Sequence, residues 1–244
     1  MTKHIINPAK PDEIVKELFN ANNDIIDEYS KFFSTEIMSF AEEYAVGYKK
    51  HLELNRLTID TKNEQRAYVT HLSYMLFENL FTSFKLFMLG YQTPSGNLMR
   101  QVIESIGLAT LCSLDFDIIV EKKKSKNKSI NFFQSFTLQK PEANSNKAIF
   151  YIEMNLKAIG VKQKSIDALK SSRKFYHNYS HPSLLSMANI MSFQSPGKTY
   201  IGGSFDVEKK DKYKKELVHR INFCKILPDF IEGLIYRLKK LPNI

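Results

Sequence analysis

Arg173, His177 and His181 fall four residues apart in the run Ser172-Arg173-Lys174-Phe175-Tyr176-His177-Asn178-Tyr179-Ser180-His181-Pro182-Ser183. If the backbone is helical as far as His181, that spacing lines all three side chains along one face. A guanidinium presents a bidentate fork to phosphate, and an imidazole gains and loses its proton near neutrality. The line therefore suits two kinds of work: holding a phosphodiester and moving a proton on it, or joining helices as a polar seam. Both readings stand at this level. Pro182 disfavours helical geometry at His181 and puts that histidine at the helix terminus or in the turn beyond it. The partial negative charge of a helix C-terminus favours a protonated imidazole, and a protonated histidine beside an arginine suits a phosphodiester better than a metal ion.

A second group lies earlier in the chain. Arg100 and Glu104 sit four apart among Leu98, Met99, Val102, Ile103, Ile106, Leu108 and Leu111. A charged pair in such apolar company persists only when hydrogen-bonded on both sides. It reads either as an internal salt bridge that sets helix register or as one wall of a polar cleft. In the second case Arg100 and Glu104, with Asn97, Lys174 and Tyr176, would support the arginine and histidine line. His71 and Glu78 share one predicted helix face, but a hydrogen-bonded core histidine explains that pair better than a ligand site does.

Most of the elements that position these groups follow from apolar periodicity. Pro11-Asp12-Glu13 opens a short helix with acidic residues in its first turn. Ile25, Ile26, Tyr29, Phe32, Phe33, Ile37, Phe40, Ala41 and Tyr44 recur at threes and fours and predict a helix from about Asn23 to Glu53. Asn63 to Leu89 predicts a central core helix. Gly90 to Gly96 reads as a turn, with a further apolar helix from about Asn97 to Leu114. Phe132, Phe133 and Phe136 must be anchored in the fold, since three exposed phenylalanines would form an interaction patch. A helix from about Asn146 ends at Gly160, and Lys164 to Ser180 forms the helix that carries the arginine and histidine line. Ser192 to Asp206 reads as a short hairpin or an ordered loop, and a final helix begins near Asp206, with a kink expected at Pro228.

Composition bounds the remaining possibilities. The 244 residues are 43% hydrophobic, enough for a large core, and eight prolines and nine glycines are few for this length. An all-α fold is expected: a multi-helix bundle with a short irregular or hairpin segment near 192–206. It is read as one helical domain over 1–244, with an acidic N-terminal helical extension over about 11–55 packed on a bundle core over about 63–240. Cys112 and Cys224 lie far apart in apolar surroundings, which predicts buried free thiols in a reducing cytoplasm. No stretch has the length or apolarity of a membrane span, and the first residues lack the apolar core of a signal peptide. The net charge of +9 is uneven: Pro11 to Glu43 is acidic, whereas Glu121 to Lys128 is a lysine-rich loop. Such a bias permits contact with nucleic acid. The chain has no Gly-rich phosphate loop, dinucleotide fingerprint, HExxH, GxSxG or pair of Glu-x-x-His motifs, so no metal or nucleotide cofactor is expected.

Leu98-Met99-Arg100-Gln101-Val102-Ile103-Glu104, paired with the later Arg173 to Ser183 run, resembles bacterial all-helical proteins of the DUF5677 type. These in turn resemble the HEPN superfamily of helical bundles, many of which are ribonucleases of toxin or phage-defence systems. The resemblance covers roughly Asn63 to Ser183 and implies an intracellular protein that binds or cleaves RNA without metal. It further implies a homodimer, with the active site formed across it. In that family an arginine precedes a histidine with four to six residues between them. Here three residues separate Arg173 from His177, seven separate Arg173 from His181, and six separate Lys174 from His181. If the family role holds, His177 or His181 serves as acid or base on a ribose 2′-hydroxyl while Arg173 holds the phosphate. The alternative is a non-catalytic interaction or scaffold protein whose arginine, histidine and glutamate residues knit helices together.

Overall fold

Val69, Leu72, Leu76, Leu80, Phe84 and Phe87 recur at steps of three and four and are all buried, so the segment that carries them must be a helix with a wide inward face. The computed structural model describes residues 8–59, 62–122, 127–195 and 197–242. Among them are ten α-helices and one two-stranded sheet. In chain order these are α1 (Pro11–Leu18), α2 (Asn23–Arg56), α3 (Glu64–Met88), α4 (Gln92–Cys112), β1 (Ile118–Glu121), β2 (Lys128–Ile130), α5 (Phe132–Thr137), α6 (Ala148–Met154), α7 (Leu156–Ile159), α8 (Gln163–His177), α9 (Leu184–Ile190) and α10 (Lys210–Leu238). The fold is all-α, and no described helix is long and apolar enough to cross a membrane.

The long helices set the frame. Asn63 caps α3 by accepting a hydrogen bond from the Arg66 backbone N–H, and its own side-chain amide donates to the Pro242 carbonyl. Arg66 donates to the carbonyls of Leu238 and Leu241, the groups a helix C-terminus leaves without internal partners. One end of α3 is thus fastened to the far end of α10. At the other end of α10, Tyr29, Phe87, Phe205 and Tyr213 bring α2, α3 and α10 into one aromatic cluster. Farther along, Phe40 stacks on Phe84 with ring centres 3.8 Å apart.

The central position belongs to α4 rather than to α3. Helix α4 packs against α3, α5, α6, α8 and α9, and Met99, Val102, Ile103, Ala109 and Leu111 are wholly inaccessible. It also begins earlier than expected, at Gln92, because proline is tolerated in a first turn, where its missing N–H has no partner to lose. Gly96 serves close packing instead of a turn, since a Cβ there would lie 2.3 Å from the Tyr179 ring. By contrast, Gly90 is a true turn residue, with φ of +82°.

Elsewhere several expectations change in detail. The helix expected from Asn146 is broken at Asn155, whose side chain accepts from the Ile119 N–H and donates to the Ile119 carbonyl, pinning β1. Gly160 ends α7 in the left-handed conformation. The lysine-rich stretch is flanked by the two strands, and residues 123–126 lie outside those described. Between 192 and 206 the hairpin is reduced to a single antiparallel bridge, Met191 to Thr199, just before that segment and inside it. Helix α10 continues past Pro228 to Leu238. Phe132 is buried and Phe133 and Phe136 pack on the core, as required of them. Both cysteines are free and buried, and burial pushes each thiol up to about 12.

Candidate functional site

Helix α8 is two-faced: Ile166, Leu169 and Tyr176 turn inward, leaving Lys174 and His177 exposed and Arg173 half-exposed. The inward side ends on a polar anchor that the sequence reading missed. Tyr176 donates to Oε2 of Glu216 at 3.1 Å, and Tyr179 donates to the other oxygen of the same carboxylate. Arg220, one turn along α10, meets Glu216 Oε2 at 2.7 Å. Its guanidinium also donates to Ser95 Oγ at 2.8 Å and lies 4.7 Å from the centre of the Phe87 ring. Arg220 and Glu216 are almost inaccessible to solvent. Burial pushes the Glu216 carboxyl upward, but Arg220 and the two tyrosine hydroxyls outweigh it and hold the group below its usual range. This buried network knits α3, α4, α8 and α10. The available signal was Glu216 and Arg220 spaced four apart among apolar residues, the pattern that singled out Arg100 and Glu104.

The anchor fixes the chain just beyond α8. The helix stops at His177, three residues short of the expected Ser180, and His181 lies in the turn. Ser180 donates to Asn97 Oδ1 at 2.8 Å, and Ser183 caps α9 while donating to the Asn178 carbonyl at 2.7 Å. Although the helix has ended, the turn brings the two imidazoles together, with ring centres 4.5 Å apart and planes inclined at 61°.

Arg100 approaches the same surface from α4. Its Nε lies 2.9 Å from Glu104 Oε1, and its Nη2 donates to Asn146 Oδ1 at 2.9 Å. Ser145 donates to Glu104 Oε2. The pair is thus hydrogen-bonded on both sides, and it also lines a hollow of about 410 Å³ with Asn97, Gln101, Ser105 and Ser145. The internal bridge and the cleft wall are therefore one feature. The side chains of Arg173 and Lys174 have no hydrogen bond or ion pair among the described residues.

The electrostatics at His177 favour the neutral imidazole. Loss of surrounding water, followed by repulsion from His181, Arg100 and Arg173, lowers its pKa, so the imidazole is neutral at neutral pH despite ending a helix. The structure thus brings Arg100, Glu104, Arg173, His177, His181 and Asn97 to one region. Tyr176, read from the sequence as a substrate-binding or supporting residue, is fully buried and bonded to Glu216. His71 and Glu78 are both exposed on α3. No cluster of metal-ligating side chains occurs among the described residues. Compared with known proteins, the chain matches no family model, no curated protein and no solved structure.

Proposed function

We propose that the chain binds RNA on the surface shared by α4 and the end of α8, and cleaves it there by acid and base catalysis without a metal ion. The observation that carries this reading is the 4.5 Å contact between His177 and His181, near an Arg173 whose side chain has no ion pair among the described residues. A neutral His177 suits the base: it takes the proton of a ribose 2′-hydroxyl, whose oxygen then bonds to the adjacent phosphorus. The bond from phosphorus to the 5′-oxygen breaks, and His181, as the general acid, gives that oxygen its proton, leaving a cyclic phosphate and a 5′-hydroxyl. Arg173 and Arg100 stabilise the charge that grows on the phosphate oxygens. The scaffold alternative gains less support, because the residues that knit helices are Glu216, Arg220, Tyr176 and Tyr179. The exposed line is left without that task.

The test is incubation of a mixed RNA pool with purified protein in chelator, comparing wild type with His177→Ala and His181→Ala at matched thermal stability. Products ending in a cyclic phosphate, lost in either folded variant, are expected. Absence of cleavage by the wild type overturns the catalytic part. Equal RNA affinity in Arg173→Ala and wild type overturns the binding part.

A further inference from the structure

A second hollow, lined by none of the groups proposed to meet RNA, runs between α4, α6, α8 and α10. Its volume is about 790 Å³, within the 300–1,000 Å³ usual for small-molecule sites. Along α10 the lining residues run from His219 through Phe223, Ile226 and Phe230 to Arg237, a span of about 27 Å at 1.5 Å per residue. Ile106 of α4, Ile152 of α6 and Leu169 of α8 supply more of the wall. A long, mainly apolar groove of this kind suits a single extended hydrocarbon chain.

Its lining is mainly apolar, with Asn222 and Asp229 along α10 and charged or unpaired groups toward the two ends. At one end, the buried Nε2 of His219 has no hydrogen-bond partner, an uncommon state for a native polar atom. At the other, Arg237 donates to the Ile159 carbonyl at a long 3.5 Å and has no ion pair among the described residues, although Asp229 also lines the groove. Lys162 and Lys164 stand on the wall that α8 and its lead-in contribute. An apolar channel ending on an unpaired guanidinium is complementary to an amphipathic anion.

We propose that this groove binds a long-chain fatty acid, with its carboxylate on Arg237 and its hydrocarbon chain extending along α10 toward His219. Binding of palmitate and of hexadecanol, which has the same chain without the carboxylate, is measured on the full chain by displacement of a fluorescent fatty acid. The wild type should bind one palmitate saturably. Arg237→Met should weaken palmitate about tenfold and leave hexadecanol unchanged. Ala168→Phe, which fills the groove from an exposed wall position, should abolish both at an unchanged melting temperature. The proposal is overturned by non-saturable binding, by equal palmitate affinity in Ala168→Phe, or by self-association through this face that palmitate does not dissolve. The last outcome would make a second copy of the chain the occupant.

Discussion

The Tyr176 hydroxyl donates to Glu216 across the interface between α8 and α10, and this contact decides which face of α8 is presented to solvent. With Tyr176 held inward, His177 must turn outward, and Tyr179 on the same carboxylate sets the path of the turn that returns His181 to it.

Removing the carboxylate should therefore be costly. Glu216→Ala leaves Arg220 charged and buried, and a loss of about 3–5 kcal/mol is expected in urea unfolding. The double change Glu216→Leu with Arg220→Met removes both charges and should cost clearly less than the single one. A double variant as unstable as Glu216→Ala would show that the network matters for more than charge compensation.

The same pair makes an acid-sensitive element. The folded-state pKa of Glu216 is depressed below its unfolded value, so its contribution is present above the usual carboxylate range. That contribution is lost as pH falls through the depressed pKa. Unfolding followed from pH 6 down to pH 2 should show a steeper loss for the wild type than for Glu216→Gln; parallel curves would contradict the assignment.

RNA affinity should depend on pH through His177. Its pKa is lowered in the free protein, and a phosphate placed beside it raises that pKa again, so binding takes up a proton only toward the acid end of the range, where the base form that cleavage needs is lost. Affinity then rises as pH falls through the window between the free and bound pKa values, by at most about tenfold per pH unit. Titrations of a short RNA from pH 5.5 to 8 should show this slope, reduced in His177→Gln. An unchanged slope in that variant would remove His177 from the phosphate.

Gly96→Ala tests how tightly the turn is held to α4. The added methyl would sit 2.3 Å from a Tyr179 ring that is already fixed on Glu216, so the ring or α4 must shift. A loss of roughly 1–3 kcal/mol is expected, with weakened contact between the two histidines. Thermal unfolding reads the first and histidine NMR shifts read the second; a variant as stable as the wild type would show that the packing is looser than the geometry implies.

The helices were largely legible because amphipathic period is a local property. Asn23, Asn63 and Gly160 stand at or next to the helix ends where the reading put them, and most of the two long apolar stripes is buried, although Phe32, Ala41, Tyr68 and Met75 are exposed. The misreadings share one cause: a residue's local propensity was overruled by a distant neighbour. Gly96 resembles a turn residue until Tyr179 lies against it, and Asn155 breaks a helix in order to bind Ile119. His177 is set beside His181, Arg100 and Arg173 only by the fold, where loss of water and their charges keep its imidazole neutral.

The sequence alone determined an all-α chain and the two groups of polar residues worth following, because helix period and i, i+4 spacing are written in adjacent turns. Tertiary structure decided that Arg100 joins the histidines, that Tyr176 leaves them for Glu216, and that His181 meets His177 after the helix has ended. Those outcomes depend on burial and on contacts between residues tens of positions apart, quantities that local periodicity does not encode.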